Sequence, residues 1–361
     1  MTVYQCSSCS SMYPASGLPH ICPNCGGFFD ISSLTYPTYR ESSRTHPGIW
    51  RWRQSFGLSD DSPMTYLGEG DTPLVCRQIE GRQVCFKLEY LNPTGSFKDR
   101  GTAVLTSLLV SRGIHEVVED SSGNAGASLA FYTAAYGIHS KIFVPASASG
   151  PKGRQMEASG AAVIPIPGPR ENAHRAVLQM VSEGSAAYAS HALLPFGIPG
   201  IATIAYELYE QLGRLPGTIV APVGHGSLAA GIYLGVEALR NHFRISEPIS
   251  IVGIQPERCA PLAAGWKGEP FLDGKQASIA EGTQITNPVR GDLLLRLMRP
   301  DKDDIIAVDE AEILPAVSDL AKMGFYVEPT SAMVWAAFKR HAQEWKEPVV
   351  LVLTGSGLKF S

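Results

Sequence analysis

The chain has 361 residues, of which 44% are hydrophobic and 18% are charged, and its formal net charge is -4. This length allows a sizeable buried core and predicts two or three domains. The mild acidic charge gives no support for binding to nucleic acid or to an anionic membrane, and no apolar run approaches the roughly 20 residues that cross a bilayer. The N-terminus also lacks the pattern of a signal peptide, so the expected location is the cytoplasm.

Four of the seven cysteines lie near the N-terminus as two Cys-x2-Cys pairs, Cys6 with Cys9 and Cys22 with Cys25. This spacing is typical of a zinc ribbon, in which each pair wraps a tetrahedral ion through a tight turn. The alternatives are two disulfides, which need an oxidising compartment, and a redox motif, which needs flanking strand and helix patterns. Neither requirement is indicated, so we predict a zinc ribbon over residues 1–35. Four thiolates leave no open coordination position, so the zinc is expected to be structural.

Residues 36–66 contain aromatic residues and prolines without a clear period. They are predicted to form an arm that connects the ribbon to the rest of the chain, with one helix near Trp50 to Phe56.

From residue 67 onward, short β-branched segments alternate with longer segments of helical period. Strands are predicted at 142–144, 162–164, 218–220, 249–254 and 349–353, and helices include 102–112 and 311–323. This alternation predicts an α/β fold with mainly parallel sheets that helices cover on both faces. Cys85 lies in an alternating apolar stretch, where a small buried side chain is expected rather than a nucleophile.

A turn-rich segment, residues 92–101 with the sequence NPTGSFKDRG, delivers Lys98 to the first turn of an apolar helix. The helix dipole places partial positive charge there, which lowers the proton affinity of an amine. An amine that deprotonates easily suits a Schiff base with a carbonyl cofactor. The alternative is a solvated lysine on an exposed turn.

Two further segments place backbone N–H groups at the start of a predicted helix. They are residues 121–124 (SSGN) and residues 224–227 (GHGS), the latter directly after an apolar strand. Such N–H groups bind anions, so a phosphate or a carboxylate fits either place. The alternatives are an ordinary N-cap at Asn124 and an ordinary glycine turn with His225 as a spacer.

Taken in order, these segments resemble the motifs of the fold type II pyridoxal phosphate (PLP) enzymes, and among them those of the threonine synthases. The matching segments are residues 68–74 (GEGDTPL), 92–101 (NPTGSFKDRG), 121–126 (SSGNAG), 223–227 (VGHGS) and 353–359 (LTGSGLK). Many threonine synthases are also similar to this chain in carrying an N-terminal ribbon. The resemblance implies a homodimer and a catalytic body over residues 67–361. The body would contain two interleaved three-layer α/β subdomains with a cleft between them, the smaller at roughly 105–200.

The resemblance also implies a role for each matching position. Lys98 would form the Schiff base with PLP and then act as the base that removes the α proton. Asn124 would bond the ring hydroxyl, and Thr354 would face the pyridine nitrogen, with Ser356 as a substitute. The residues expected at the cofactor phosphate are Gly224, His225, Gly226 and Ser227. The residues expected at the amino-acid substrate are Thr94, Ser96, Ser121, Ser122, Gly123 and Arg154, with Arg100 and Lys152 as further cations. For Lys152 and Arg154 the alternative is a solvated helix start.

A hydroxyl opposite the pyridine nitrogen cannot hold that nitrogen protonated, which weakens the ring as an electron sink. Such a ring favours elimination or replacement at the β or γ carbon over transamination. The predicted activity is a lyase reaction of threonine synthase type, from O-phospho-L-homoserine and water to L-threonine and phosphate.

The chain departs from the threonine synthase pattern at Ala125-Gly126, where that family usually has Thr-Ser. Those hydroxyls help to hold the substrate phosphate in the family, so two expected ligands are missing. A β-elimination or replacement enzyme therefore stays open, such as a threonine or serine ammonia-lyase or an O-phosphoserine-dependent cysteine or cysteate synthase. A non-catalytic homologue is a second alternative, which the intact Lys98, Asn124 and Thr354 oppose.

Overall fold

The structure is a computed structural model that describes residues 2–37, 46–148, 150–184, 186–271 and 277–360. The strands are β1 (Val3–Cys6), β2 (Phe29–Ser33), β3 (Leu74–Ile79), β4 (Arg82–Lys87), β5 (Glu116–Glu119), β6 (His139–Pro145), β7 (Ala162–Ile166), β8 (Ala187–Tyr188), β9 (Thr218–Pro222), β10 (Ser250–Pro256), β11 (Asp304–Val308) and β12 (Val349–Val352). The α-helices are α1 (Lys98–Ser111), α2 (Asn124–Ala135), α3 (Pro151–Ala158), α4 (Arg170–Ser182), α5 (Gly197–Leu212), α6 (Ser227–Phe243), α7 (Pro261–Lys267), α8 (Gly291–Leu297), α9 (Glu310–Lys322) and α10 (Pro329–His341). Short 3-10 helices occupy Gly48–Phe56, Glu89–Leu91, Glu257–Cys259, Glu281–Thr283, Ala342–Glu344 and Gly357–Lys359. Within these ranges no helix combines the length and the hydropathy that a membrane span requires.

The chain divides into two compact units, each made of two stretches of sequence. The first unit contains residues 1–70 and 98–201, and the second contains residues 71–97 and 202–361. The bounds that the sequence predicts for the ribbon, the arm and the catalytic body stay predictions.

A parallel four-stranded sheet with the order β7-β6-β5-β8 forms the centre of the first unit. Its core is apolar and includes Val118 of β5, Phe143 of β6 and Val177 of α4. The antiparallel pair of β1 and β2 belongs to the same unit.

A six-stranded sheet with the order β11-β10-β9-β12-β4-β3 forms the centre of the second unit. All its neighbouring strands run parallel except the edge strand β3, which is antiparallel to β4. Every residue of β9 and β12 is buried, as is typical of parallel strands with both faces covered. Together the two sheets confirm the predicted α/β class.

The arm contains a 3-10 helix at Gly48–Phe56, where the sequence predicts a helix. Its side chains Trp50 and Phe56 are buried in one cluster with Ala103 and Val104 of α1. Residues 38–45 of the arm lie outside the described residues.

Cys85 is fully buried, as the sequence predicts, but it is not an isolated small side chain. It forms a disulfide with Cys76 of β3. The antiparallel register of β3 and β4 places these two residues directly opposite each other. The prediction of a buried side chain is confirmed, and the disulfide is an additional feature that the sequence analysis did not predict.

Candidate active site and cysteine cluster

Four thiols form one cluster in the N-terminal segment. Every Sγ atom of the cluster lies within 4.8 Å of the others, and none of these cysteines is in a disulfide. The Sγ atom of Cys6 lies 3.5 Å from that of Cys25, and the Sγ atom of Cys9 lies 3.7 Å from that of Cys22. Four sulfur atoms at this spacing suit a tetrahedral zinc ion.

The two halves of the cluster use the same turn. In each pair, the backbone N–H four residues after the first cysteine donates to the carbonyl oxygen of that cysteine. The Ser10 N–H donates to Cys6 at 2.9 Å, and the Gly26 N–H donates to Cys22 at 2.8 Å. Ser10 and Gly26 both have positive φ angles, of 59° and 74°. A left-handed residue closes a short turn, and such a turn would let both thiols of a pair reach one metal ion.

Lys98 is the first residue of α1, as the sequence predicts. The start of this helix is held against two neighbouring helices. A Cβ atom on Gly101 would lie 3.0 Å from the carbonyl oxygen of Gly197 in α5, so the two backbones are in contact. The hydroxyl of Ser128 in α2 donates to Asp99 Oδ1 at 2.6 Å, and both side chains are buried. The backbone that carries the lysine is therefore fixed in position within the first unit.

The asparagine loop leads from β5 into α2. The N-cap of α2 is Gly123 and Asn124 is the first helical residue, so the alternative interpretation of Asn124 as an N-cap is wrong. At Gly126 a Cβ atom would lie 2.0 Å from the carbonyl oxygen of Ser121 and 3.0 Å from Met156 Cε. A side chain at position 126 therefore requires a backbone shift. The departure from the threonine synthase pattern at this position is part of how the loop packs.

Arg154 lines a cavity of about 250 Å³ together with Ser122 of the asparagine loop. Gly150 and Gly153 also line it, so part of the wall near α3 is backbone. Glu157 contributes a carboxylate to the lining. The Arg154 side chain is exposed and Ser122 is half-buried, so the cavity offers a solvated cation beside a hydroxyl.

In the second unit, the loop that precedes Lys98 pairs with the closing segment of the chain. The Phe97 N–H donates to the carbonyl oxygen of Thr354, and the Ser356 N–H donates to that of Gly95, each at 3.0 Å. The two segments thus form a short antiparallel bridge. The peptide immediately before Lys98 is anchored by this bridge.

Lys359 strengthens the same pairing from the side. Its Nζ donates to the carbonyl oxygen of Thr94 at 2.7 Å, and its side chain is buried. The hydroxyl of Ser96 is also buried, and it has no hydrogen-bond partner in the described ranges. The structure therefore brings Thr94 and Ser96 together with the closing segment and leaves one buried hydroxyl available to a ligand.

The Thr354 hydroxyl lies 2.8 Å from the hydroxyl of Ser331, in the first turn of α10. Ser331 Oγ also accepts the Gly355 N–H at 2.8 Å, and both hydroxyl residues are buried. Ser356 Oγ instead accepts the Leu358 N–H at 3.2 Å and caps a short helix. Thr354 is thus part of a neutral hydroxyl pair, whereas Ser356 is engaged at a helix end.

The glycine loop joins β9 to α6. Gly226 has a φ of 95°, and a Cβ atom there would lie 3.0 Å from the carbonyl oxygen of Arg290. A Cβ atom on Gly224 would lie 3.0 Å from the carbonyl oxygen of Gly282. The Arg290 N–H donates to the carbonyl oxygen of His225 at 2.9 Å. The loop therefore runs close to two other backbone segments. A Cβ atom at either position would make a tight contact, and the positive φ of Gly226 also favours glycine there.

The predicted site residues fall in both units. Those in the first unit are Lys98, Ser121, Ser122, Gly123, Asn124 and Arg154. Those in the second unit are Thr94, Ser96, Gly224, His225, Gly226, Ser227 and Thr354. In the second unit, the turn at residues 281–283 links the glycine loop to α10, because the Gly282 N–H donates to Thr330 Oγ1 at 3.1 Å.

A family model described as pyridoxal-phosphate dependent enzyme matches residues 65–355. The chain belongs to this family. The matched range contains the lysine, asparagine and glycine loops in the order that the sequence analysis describes.

The PLP-dependent chain is similar to the threonine synthase of Methanocaldococcus jannaschii, with 31% identity over 98% of this chain and 92% of that one. It is also similar to the threonine synthase of a Bacillus species, with 32% identity over 84% of this chain and 87% of that one. Among solved structures it is similar to a PLP-dependent aspartate racemase, with a TM-score of 0.68 and 26% identity over 79% of this chain and 90% of that one. It is also similar to the structure of a T.th. threonine deaminase, with a TM-score of 0.65 and 26% identity over 80% of this chain and 93% of that one. The chain is thus a PLP-dependent lyase of the threonine synthase-like kind.

The residues of this family member fit a phosphate-bearing pyridine cofactor. The glycine loop is tightly packed at two positions and leads into the N-terminus of a helix of 17 residues, where N–H groups bind phosphate. The hydroxyl pair of Thr354 and Ser331 is neutral, which suits an unprotonated ring nitrogen. Sequence reasoning missed Ser331 and Lys359, although a serine in a Pro-started helix and a lysine in the closing motif were visible signals.

Proposed function

We propose that this PLP-dependent enzyme converts O-phospho-L-homoserine and water to L-threonine and phosphate. The observation that carries the proposal is the similarity to a threonine synthase over 98% of this chain, which includes the cysteine-rich N-terminal segment. The solved structures named for other activities are similar over only 79–80% of this chain.

The proposed cofactor-binding residues are Lys98, Asn124, Gly224, His225, Gly226, Ser227 and Thr354. When bound, PLP supplies an electron-withdrawing ring that stabilises negative charge on the α carbon of the substrate. Backbone N–H groups at the start of α6 would hold its phosphate, and the Asn124 amide would donate to its ring hydroxyl. Lys98 would hold its aldehyde carbon. Lys98 Nζ would also be the base that removes the α proton of the substrate.

The hydroxyl pair would influence whether the ring nitrogen of the cofactor is protonated. Thr354 would face the ring nitrogen, and Ser331 holds its hydroxyl at 2.8 Å. Neither group carries a charge, so the pair accepts or donates one hydrogen bond without holding a proton on the ring. This supports a reaction that expels a leaving group promptly, as loss of phosphate from the γ carbon does.

The proposed substrate-binding residues are Thr94, Ser96, Ser121, Ser122, Gly123 and Arg154. N–H groups at the start of α2 would receive the α-carboxylate. Arg154 and Ser122 line one cavity, and they would bind the substrate phosphate in place of the hydroxyls that Ala125-Gly126 lacks. A guanidinium is well matched to phosphate because it donates two parallel hydrogen bonds.

Gly126 favours a second candidate function, a β-elimination or replacement on a hydroxylated or phosphorylated amino acid. Packing against Ser121 keeps a phosphate-binding serine out of position 126. The similarity to a threonine deaminase supports the same candidate, at 26% identity.

The test is a substrate panel on PLP-loaded protein. O-Phosphohomoserine, O-phosphoserine, serine and threonine are supplied separately, and phosphate, threonine, ammonia and 2-oxo acid are measured. Threonine and phosphate in equal amounts from O-phosphohomoserine support the proposal. No product from O-phosphohomoserine, together with 2-oxo acid from serine or threonine, would replace the proposed function with the second candidate.

We further propose one structural zinc ion at Cys6, Cys9, Cys22 and Cys25. The support is the 4.8 Å cluster of free thiols. All four coordination positions are protein sulfur, so the ion would have no place for a substrate. Elemental analysis of reduced protein should find about one zinc per chain. Protein without metal but with an intact ribbon fold would contradict this assignment.

The remaining proposals are a homodimer, a cytoplasmic location and the domain bounds of ribbon 1–35, arm 36–66 and body 67–361. The four free thiols support this location, whereas the disulfide between Cys76 and Cys85 is typical of oxidising conditions and opposes it. Size-exclusion chromatography with light scattering tests the dimer, and limited proteolysis tests the bounds.

A further inference from the structure

A carboxyl–histidine pair lies at the carboxyl edge of the sheet in the first unit and has no role in the function proposed above. Strand β5 ends at Glu119, and its parallel neighbour β8 is followed by His191. The asparagine loop leaves the same edge, directly after β5. In open parallel sheets, ligands bind outside the carboxyl ends of the strands. The pair is therefore on the side of the sheet where the substrate is expected.

The geometry of the pair separates a buried member from an accessible one. Glu119 is 1% exposed, and its Oε1 lies 2.8 Å from His191 Nδ1. The second oxygen, Glu119 Oε2, is buried and accepts no hydrogen bond from the part of the chain that the structure describes. The His191 side chain keeps 19% of its surface exposed. The imidazole thus contacts a buried carboxyl group and keeps part of its own surface exposed.

The charges around Glu119 favour its protonated form. Burial raises its pKa well above the usual range, and the neighbouring Asp120 adds to this effect. The charge of Arg170, a hydrogen bond from the His191 backbone and the charge of Lys98 lower this pKa, but their effects are smaller. A buried carboxylate oxygen without a partner is unfavourable, so a proton on this carboxyl group relieves the site.

Asp120, the next residue, is held in the opposite state. Burial acts to raise its pKa, but hydrogen bonds with His174 and Tyr188 outweigh burial and lower it. The Tyr188 hydroxyl donates to Asp120 Oδ1 at 2.7 Å, and His174 Nδ1 lies 3.1 Å from Oδ2. Two neighbouring carboxyl groups whose pKa values are pushed apart are a pattern of acid–base sites. Both carboxylate oxygens of Asp120 have side-chain partners, whereas Glu119 Oε2 accepts no hydrogen bond within the described residues.

We propose that Glu119 and His191 carry the proton that the reaction moves from water to the leaving phosphate. His191 is the catalytic residue and meets the substrate through Nε2, while Glu119 is a positioning residue that acts on Nδ1. The proposal rests on the proposed function, because phosphate release and water addition at the β carbon require one proton to pass between them.

In the resting pair, Glu119 donates its proton to Nδ1, and Nε2 carries a second proton. When the γ C–O bond breaks, its electron pair goes to the leaving oxygen, which takes the proton from Nε2. The Glu119 proton moves to Nδ1 in the same step. Next, the water oxygen bonds to the β carbon and one water proton goes to Nε2, while the Nδ1 proton returns to Glu119. The pair returns to its initial protonation state. Lys98 transfers the protons that leave or join carbon atoms.

The test follows O-phosphohomoserine turnover by PLP-loaded wild type, His191→Gln and Glu119→Gln, with phosphate, threonine, ammonia and 2-oxobutanoate measured together. We expect threonine formation by His191→Gln to fall about 100-fold or more, within the range for loss of a general acid–base. The ratio of threonine to phosphate should also fall, because an unsaturated product that water does not reach decays to 2-oxobutanoate and ammonia. In Glu119→Gln, the pH profile of turnover should shift in the limb that reports the titration of the Glu119–His191 pair.

His341→Gln is the matched control, because His341 Nδ1 lies 3.4 Å from Glu344 at the C-terminal end of α10. This control should keep the wild-type ratio and pH profile. The cofactor absorbance without substrate, followed against pH, should be the same in all variants, which shows that Lys98 is undisturbed. If Glu119→Gln does not fold, His191→Gln decides alone.

Each outcome separates the two proposals. Wild-type protein that releases no phosphate from O-phosphohomoserine overturns the proposed function, and this inference with it. Wild-type turnover with an unchanged product ratio and pH profile in the folded variants overturns the inference and leaves the proposed function standing.

Discussion

The two units of the molecule offer different kinds of chemical group to a ligand. In the first unit the candidate groups are titratable and include Lys98, Glu119 and His191. In the second unit they are hydroxyls and backbone N–H groups, with Thr354 and Ser331 as the buried hydroxyl pair. Titratable groups change charge during a reaction, whereas hydroxyls and N–H groups provide fixed dipoles. In the function proposed above, the first unit supplies the groups that transfer protons, and the second unit supplies most of the groups that hold the cofactor.

The two sheets are alike at their edges. Neither edge strand β3 of the second unit nor edge strand β7 of the first unit has a buried residue, whereas every residue of the central strands β9 and β12 is buried. In the first unit, three of the four residues of the central strand β5 are buried. A strand that is covered on both faces is held by packing from both sides.

The largest effect is expected when the Lys98 amine of the first unit is removed. Lys98→Ala should reduce threonine formation at least about 10,000-fold, because both cofactor attachment and α-proton removal are lost. Product assays and the cofactor absorbance measure this. Lys339→Ala, an exposed lysine paired with Asp319, should stay within about twofold of wild type. Near-normal turnover by Lys98→Ala would remove the central assignment.

The next effect concerns packing in the first unit. Gly126→Ser should destabilise the protein by about 3 kcal/mol, because its Cβ would lie 2.0 Å from a backbone oxygen. Gly153→Ser is the matched control, since a Cβ there meets nothing within 4 Å. Thermal unfolding of both variants checks the difference. A stable Gly126→Ser protein with tighter O-phosphohomoserine binding would mean that the loop adapts to the threonine synthase pattern.

A smaller effect is expected at the hydroxyl pair of the second unit. Thr354→Val keeps the shape but removes the hydroxyl, so kcat should fall about 10- to 100-fold, as for one lost hydrogen bond at a reacting group. Ser331→Ala should act in the same direction but less, because the Thr354 hydroxyl remains. Ser356→Ala should change stability by about 1 kcal/mol through the lost helix cap and leave kcat within about twofold. A larger loss of kcat in Ser356→Ala would exchange the roles of the two hydroxyls.

The last effect is a pH dependence of the buried contact in the first unit between Glu69 and Trp50 of the arm, whose Nε1 donates to Glu69 Oε1 at 2.8 Å. Burial raises the pKa of Glu69 to about 7, although hydrogen bonds from Tyr132, Leu67 and Trp50 act to lower it. The folded pKa lies above the unfolded value of about 4.5, so the folded state binds more protons between these values. Stability should fall by about 2 kcal/mol as pH rises from 5 to 8.

Thermal unfolding at several pH values, followed by tryptophan fluorescence, measures this slope. Glu69→Gln should flatten it, because an amide does not titrate. The amide has one acceptor oxygen, so the N–H of either Trp50 or Leu67 loses its acceptor and a pH-independent loss of stability accompanies the flatter slope. The exposed Glu183→Gln should keep the wild-type slope. An unchanged slope in Glu69→Gln would assign the pH dependence to other groups.

Local features of this protein were predictable because their signals are local. The strands and helices named in advance all appear within a few residues of their predicted bounds, since β-branched runs and helical period are properties of short windows. The cysteine spacing likewise indicated one cluster, because a Cys-x2-Cys turn can close on a single ion. The start of α1 at Lys98 followed from the turn-rich residues before it.

The disulfide between Cys76 and Cys85 was missed although a signal existed. The turn between the strands is Glu80-Gly81, and both residues have positive φ angles, of 50° and 78°. A two-residue hairpin turn of this type sets the register of the flanking strands. Once the hairpin is recognised, the two cysteines are opposite each other.

Residue order was sufficient to place the elements, the cysteine cluster and the motif-bearing loops of this chain. The folded structure alone decided which distant side chains meet, as in the pairs Glu119 with His191, Thr354 with Ser331 and Lys359 with Thr94. These contacts depend on which strands are neighbours and which loops leave the same sheet edge. Periodicity encodes the inward face of an element, but it does not specify the element that packs opposite.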